Sequence, residues 1–184
     1  IVSERIAKEE GINSILDWFV RDAEIRENLK VIIFQEETAR DLLKVSGLTT
    51  TIASKEIKDI VEKDQLIVST TESNALYKIY NILNSEGMSL TLPAVHLTNN
   101  NDKEFCEVNG IAIFKRDKLV NYLTSEETKY YLLAKGALKG GIITINTNLK
   151  IENFGMQNIA FEVKSNKSSQ KYVSLDENNL EIKV

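Results

Sequence analysis

Cysteine, histidine, proline and tryptophan each occur once in 184 residues. A single cysteine excludes an internal disulfide. One cysteine with one histidine excludes a multi-ligand Cys/His metal site. The lone thiol is compatible with a reducing or an oxidising compartment. No stretch of about 18 apolar residues occurs, so nothing reads as a membrane-spanning helix. An excess of basic charge is also missing: 23 Lys and Arg face 27 Asp and Glu, for a net charge of -4. That argues against a general nucleic-acid binder, which carries a basic face. The chain starts at Ile1 rather than Met, and no charged n-region or apolar h-region precedes its first helical segment. The expectation is a processed product or a piece of a longer protein. What remains is an ordinary globular composition, 42% hydrophobic, which excludes a disordered tail.

The opening third alternates helix and strand. Ile6, Ile12, Ile15, Leu16, Phe19 and Val20 fall at helical spacing, with Gly11 as the break between a first helix and a second over about 12–21 that ends at Asp22. Residues 29–34 (LKVIIF) are a continuous apolar run and read as a buried strand. Thr38 then caps a short helix. Further on, Ile57, Ile60 and Val61 form a narrow stripe, and Leu76, Ile79, Tyr80 and Leu83 another. Residues 45–53 and 62–72 are the linker candidates. After residue 90 the pattern turns to strands: 92–97 is extended, 99–102 is a turn, and 105–114 continues through a turn at Arg116-Asp117 into 118–123. Thr124-Ser-Glu-Glu127 matches the capping box of a helix over 125–135 that Gly136 ends. A strand starts near Gly140-Gly141, and 157–184 alternates as an antiparallel meander with turns near 166–169 and 176–179. The expected fold class is α+β, in two layers: a helix/strand layer followed by an antiparallel sheet with a packed helix. The expected division is 1–68 as the remainder of an N-terminal α/β domain and 69–184 as a middle domain.

Few constellations carry chemistry. His96 and Cys106 are the only candidates for a base and a nucleophile. A hairpin around Asn101 would place them opposite each other at about 4.5–5.5 Å. No third, orienting carboxylate is evident, and the expected reading is a half-buried histidine and a small apolar cysteine. Lys135-Gly-Ala-Leu-Lys-Gly-Gly141 holds glycines and lysines, but they follow a helix and precede a strand. A phosphate loop needs the reverse polarity, so Gly140 and Gly141 are expected to shape a turn or bulge and bind no phosphate. Glu126 and Glu127 point about 100° apart on a helix and share no site; capping and the helix dipole account for them. Asn109-Gly110 marks either a hairpin turn or a bulge within a continuing strand. No catalytic, cofactor or metal residue is assigned.

One combination is more specific. Asn109-Gly-Ile-Ala-Ile-Phe-Lys-Arg-Asp-Lys-Leu-Val-Asn-Tyr-Leu123, then Ser125-Glu-Glu-Thr128, then Lys135-Gly136 and Lys139-Gly-Gly141, resembles the Ger(x)C family, the C subunits of bacterial spore germinant receptors. The family pattern runs G-x-A-x-F-K-x-D-K-L-V-x-x-L, then E-E-T, then K-G-G and a strand. Upstream, Glu4-Arg-Ile-Ala7, Gly11, Leu16-Asp17, Arg21-Asp22-x-Glu24-Ile-Arg26 and Leu92-Pro93 resemble it too. The match covers the chain to about 145; the last forty residues fit as strands only.

The resemblance implies a non-catalytic ectodomain piece of a receptor subunit that acts with A- and B-type membrane-embedded subunits in nutrient-triggered germination. It implies a parent protein on the outer surface of the spore inner membrane, lipid-anchored through an N-terminus that this chain lacks, and a family C-terminal domain beyond this piece. It implies no cofactor and no nucleic-acid partner. The turn Arg116, Asp117 and Lys118 is charged and exposed by construction, which makes it a possible partner contact, although a merely solvated turn has the same signature. Two other readings stand beside this one: a nutrient-binding sensor domain, and a hydrolase using two of the 27 acids, which no motif supports. A pocket with converging polar groups separates sensor or enzyme from scaffold.

Overall fold

The computed structural model describes residues 1–22, 28–45, 50, 52–100, 103–151, 155–169, 171–176 and 179–183. Of the motifs above, Glu24, Arg26, Asn101, Asp102 and much of the 45–53 stretch lie outside these residues.

A five-stranded sheet organises the first two thirds. Its order follows the chain: β1 (Val2–Ser3), β2 (Ile33–Phe34), β3 (Thr91–Asn100), β4 (Lys103–Lys115) and β5 (Lys118–Leu123). The first three strands are parallel, and β4 and β5 return antiparallel. The parallel pairs require crossovers, which the helices supply. Helices α1 (Glu4–Glu9) and α2 (Asn13–Arg21) connect β1 to β2, and α3 (Ala39–Lys44), α4 (Ala53–Ile67) and α5 (Leu76–Leu83) connect β2 to β3. The strand expected over 29–34 forms a ladder only at its last two residues. Lys30 makes an isolated bridge to Ala75, while Val31 and Ile32 are buried outside the ladder.

Both faces of this sheet are covered, one layer more than the two-layer arrangement expected. Ile33, Leu92, Ala94, Ala112 and Phe114 face a core built with Leu16 of α2 and Ile79 of α5. Phe34 and Val95 point the other way and pack with Leu42 of α3 and with Ile57 and Val61 of α4. Successive strand residues alternate faces, so a continuous apolar run is what a strand between two helical layers requires. The helical stripes at 57–61 and 76–83 are the surfaces that cover it.

The α4 helix runs to Ile67, and after the exposed Val68 six consecutive residues, Ser69, Thr70, Thr71, Glu72, Ser73 and Asn74, are buried. The 62–72 stretch is therefore helix followed by interior chain rather than a linker. Its polar composition resembles that of a solvated connector, but its hydrogen bonds to Gly110, Lys135 and Gly140, described below, reach parts of the chain 39–71 residues away.

Asn109-Gly110 resolves to the bulge. The β3–β4 register passes from Pro93↔Ile111 to Val95↔Val108, with two residues of β4 opposite one of β3. The proline sits beside this irregularity, where a missing N–H is tolerated. Gly110 has φ +74, and a Cβ there would stand 1.9 Å from the Leu123 carbonyl oxygen.

Beyond β5, α6 (Ser125–Lys135) is capped as its sequence predicts. The Glu127 amide donates to Thr124 Oγ1 at 3.3 Å, the Thr124 amide donates to Glu127 Oε2 at 2.9 Å, and Gly136 takes the left-handed C-cap. The Thr124 amide and hydroxyl both donate to Glu127 Oε2, and these two bonds hold the Glu127 carboxyl below its usual range. The α6 helix packs through Leu132 on Leu138 and Ile143. Strands β6 (Ile142–Ile151) and β7 (Gly155–Glu162) form one antiparallel pair, and β8 (Lys171–Asp176) and β9 (Asn179–Lys183) another. The expected meander is thus two hairpins in separate sheets. The chain is α+β, with seven strands after residue 90 among the described residues.

Gly110→Ala is expected to lower stability by more than ~2 kcal/mol, because left-handed strain and the Leu123 collision add. Urea denaturation measures it. A loss of only a few tenths of a kcal/mol would show that the bulge relaxes around a side chain.

Candidate functional site

The charged turn is fastened to the rest of the domain. Lys115 pairs with Lys118 across a two-residue loop. The Asp117 carbonyl accepts the Ile12 amide at 3.0 Å, and Lys118 Nζ donates to the Glu9 carbonyl at 2.8 Å. That carbonyl belongs to the last turn of α1, where a cation is favoured by the helix dipole. Gly11 (φ +83) allows the approach: a Cβ there would stand 2.4 Å from Asp117 Oδ2. So Gly11, one of the upstream motif residues, and Asp117 and Lys118, from the hairpin motif, meet in space. Arg116 is exposed and makes no ion pair among the described residues. Its backbone is left-handed, with φ 57.

Beside this turn lies a cleft of about 520 Å³. The α5–β3 connection forms its other wall with Asn84, Glu86 and Met88, and Leu90 lines it with Arg116 and Asp117.

The buried polar run links α4, β3, β4, α6 and the 139–141 turn. Ser69 Oγ accepts the amides of Lys139 and Gly140 at 3.2 and 3.0 Å and donates to the Gln65 carbonyl. Thr70 donates through its amide and its hydroxyl to Asp64 at 3.0 and 2.6 Å. Burial raises the Asp64 carboxyl, and the Thr70 bonds act against that rise. Thr71 Oγ1 donates to the Gly110 carbonyl at 3.1 Å. Glu72 accepts from Thr91 Oγ1 at 2.9 Å and from Lys135 Nζ at 2.9 and 2.8 Å. The Glu72 side chain is 7% exposed and that of Lys135 is 41% exposed. Burial acts to lower the Lys135 ammonium, but Glu72 and Tyr131 together outweigh it and raise the group. The sequence reading missed all these partners. Its only signal was Lys135 within the Lys-Gly motif.

The Lys139–Gly141 segment is a turn, as expected. Two of its amides are occupied by Ser69, Gly141 has φ +108, and its carbonyl accepts the Val163 amide. Glu127 serves the helix cap, and Glu126 accepts from Tyr130.

His96 and Cys106 are not opposite each other. His96 pairs with Glu107 and Cys106 with Leu97. The one-residue offset sends the two side chains to opposite faces. Cys106 packs with Leu97 and Val108 on the α3–α4 side. Burial first, then Glu56 and Glu107, push its thiol up to about 12. His96 lies beside Thr98, 3.0 Å from Nε2, and Thr98 in turn donates to Glu107 at 2.8 Å. A nucleophile needs a thiolate and a base within hydrogen-bond reach, and this pair has neither. Among the described residues, no group of three or more His, Cys, Asp or Glu could hold a metal ion. Nor is any helix long and apolar enough to cross a membrane.

These features define an α+β module with a mixed sheet, a polar interior crossover and a hairpin turn docked on its first helix. The chain belongs to the GerAC, or Ger(x)C, family of spore germination proteins. One family model, described as the spore germination protein N-terminal domain, matches residues 1–97, more than half of the chain. A second, described as spore germination B3/GerAC like, C-terminal, matches residues 109–184. The interval between them falls in the β3–β4 hairpin, so one sheet takes strands from both matches. Spore germination protein B3 of Bacillus subtilis (strain 168) is 24% identical over 183 aligned residues, which cover 94% of this chain and 44% of that protein. The crystal structure of the GerBC protein superposes with a TM-score of 0.58 at 20% identity, over 95% of this chain and 46% of that one; at that identity it shows the fold. The chain therefore spans less than half the length of these relatives.

Two stability and reactivity tests follow from the geometry. Lys135→Met should cost roughly 3 kcal/mol, because it strands the buried Glu72 carboxylate. Glu72→Gln should cost about 1 kcal/mol, because Lys135 can turn to water and the amide still meets Thr91. Chemical denaturation of both variants checks the order, and a reversed order would contradict the assignment of Glu72 as the desolvated partner. Cys106 should react with a disulfide reagent at pH 8 about a hundredfold or more slowly in the folded chain than in urea. Equal rates would show an accessible thiolate.

Proposed function

We propose that this chain is a non-catalytic ectodomain piece of a germinant-receptor C subunit, which docks with A- and B-type membrane subunits during nutrient-triggered germination. The reading places the parent protein at the outer surface of the spore inner membrane, held by a lipid anchor. What supports it is the pair of family matches at 1–97 and 109–184, with the hairpin motif between Gly110 and Leu123 among the matched residues. No cofactor and no nucleic acid enters this reading.

Within it, the turn Arg116, Asp117 and Lys118 is the proposed partner contact. The three residues do not contribute alike. Asp117 and Lys118 hold the turn on the Glu9–Ile12 segment, and Arg116 is left to reach outward. Reversing Lys118 therefore tests the domain as much as the contact, whereas reversing Arg116 tests the contact.

Co-purification of the lipidated full-length parent with its candidate membrane subunits is the direct measurement. Arg116→Glu should reduce recovery of the complex and slow germination at normal protein level and unchanged melting midpoint. Lys118→Glu should lower the midpoint first. Spores without the parent should fail to answer at least one nutrient, and an unchanged response to every nutrient would remove the receptor reading. Full recovery of the complex with Arg116→Glu would remove only the turn.

A further inference from the structure

The β6–β7 hairpin lacks the support that its sequence calls for. It forms a two-stranded sheet of its own, and such a ribbon is marginal in water unless a third strand or a helix packs on it. Cross-strand partners share a face, so Ile143 and Phe161, with Ile145 and Ile159, make one apolar side. The α6 helix reaches only the first rung, where Ile143 is buried with Leu132 and Leu138. Phe161 stays 51% exposed, Ile145 48% and Ile159 38%.

The outer edge of β7 is a second, independent observation. The Val163 amide donates to the Gly141 carbonyl at 2.8 Å. In the alternating antiparallel ladder the bonded pairs are then Ile143 with Phe161 and Ile145 with Ile159. Ala160 and Glu162 therefore turn their amides and carbonyls away from β6. Among the described residues no strand pairs with that edge, and β8 and β9 pair with each other. Exposed edges are normally blunted by lysine, proline or other charges. The β7 sequence, GMQNIAFE, holds no lysine and no proline, and its one charge is at the last residue. An unprotected edge beside an uncovered apolar side fits a surface that is interior in the whole protein.

Length indicates what covers it. The hairpin lies within the match to the C-terminal family model at 109–184. The chain covers 44% of spore germination protein B3 and 46% of the GerBC protein, so more than half of each relative lies outside the match. The five-stranded sheet already has both faces covered, which leaves the uncovered surface in the C-terminal match.

We propose that the apolar side of this hairpin and the outer edge of β7 are an internal docking surface of the full-length parent, covered by the stretch of its own chain that follows β9. That stretch adds a strand through Ala160 and Glu162 and lays apolar side chains on Ile145, Ile159 and Phe161. The proposal rests on the family match and is independent of the docking of A- and B-type subunits, because this surface closes within one polypeptide.

Amide hydrogen exchange, resolved to single residues, tests it on the 184-residue chain and on the full-length parent, each without membrane subunits. The Ala160 and Glu162 amides should exchange at least about a hundredfold more slowly in the parent. Phe161→Asp should lower the melting midpoint of the parent by about 5 °C or more, and that of the 184-residue chain by less than about 2 °C. Ile142→Asp, on the opposite face and 58% exposed, should leave both midpoints within about 2 °C. Equal exchange at Ala160 and Glu162 in the two proteins would overturn the proposal. So would protection that grows with concentration in the 184-residue chain, which marks a second copy, or protection of the parent that appears only when the membrane subunits are added. Equal shifts from Phe161→Asp and Ile142→Asp in the parent would overturn it as well.

Discussion

A carboxylate in the interior constrains how this chain assembles. Glu72 has a nearly buried side chain, and a charge placed there is tolerable only with full hydrogen-bonding compensation. Thr91 at the start of β3 and Lys135 at the end of α6 provide it. Around it, Ser69, Thr70 and Thr71 settle their own polar groups on the 139–140 amides, on Asp64 and on the bulge carbonyl of Gly110. Each partner belongs to a different element. The crossover between α4 and α5 therefore fixes where α6 and the 139–141 turn sit relative to the sheet. Apolar packing is non-directional; these bonds are directional, and they select one arrangement among those that would bury similar area.

The hairpin turn is positioned by the same logic at the other end of the sheet. The bulge at Gly110 gives β4 an irregular register where it also receives Thr71. The strand then continues to a tight turn, which the Glu9 carbonyl, the Ile12 amide and the open backbone at Gly11 hold against α1. Motif residues more than a hundred positions apart in the chain thus act on one small area. Rigid support on two of three charged residues leaves the third, Arg116, exposed beside a cleft, and that asymmetry gives the turn a defined direction. A freely solvated turn would not need the glycine at position 11.

Much of this was legible in the sequence because it depends on neighbours along the chain. The Thr124–Glu127 box, the Gly136 cap, the break at Gly11 and the Arg116–Asp117 turn are local geometry. The LKVIIF run announces burial on both faces by its lack of alternation, and the hairpin motif carries the family. Other features depend on registers and partners that no local pattern encodes. His96 and Cys106 sit on adjacent hairpin strands, as their spacing suggests, yet the pairing of Leu97 with Cys106 and of His96 with Glu107 sends them to opposite faces. The single-residue offset comes from the Gly110 bulge and the meeting of β3 with β4 beyond it. The polar stretch 69–74 reads as a connector because its residue types are those of solvated loops; only folding supplies the lysine, threonines and amides that let it be interior.

The sequence by itself determined the fold class, the two caps of α6, the hairpin turn and the family, since each rests on periodicity, capping or a contiguous motif. The tertiary structure alone decided which helices cover each face of the sheet, that Glu72 finds Lys135, that Asp117 and Lys118 are occupied while Arg116 lines a cleft, and that the lone thiol packs on the face away from the lone histidine. Those outcomes depend on contacts between residues tens of positions apart, where the cost of closing the chain is met by burial and hydrogen bonding together, and nothing in the adjacent sequence specifies them.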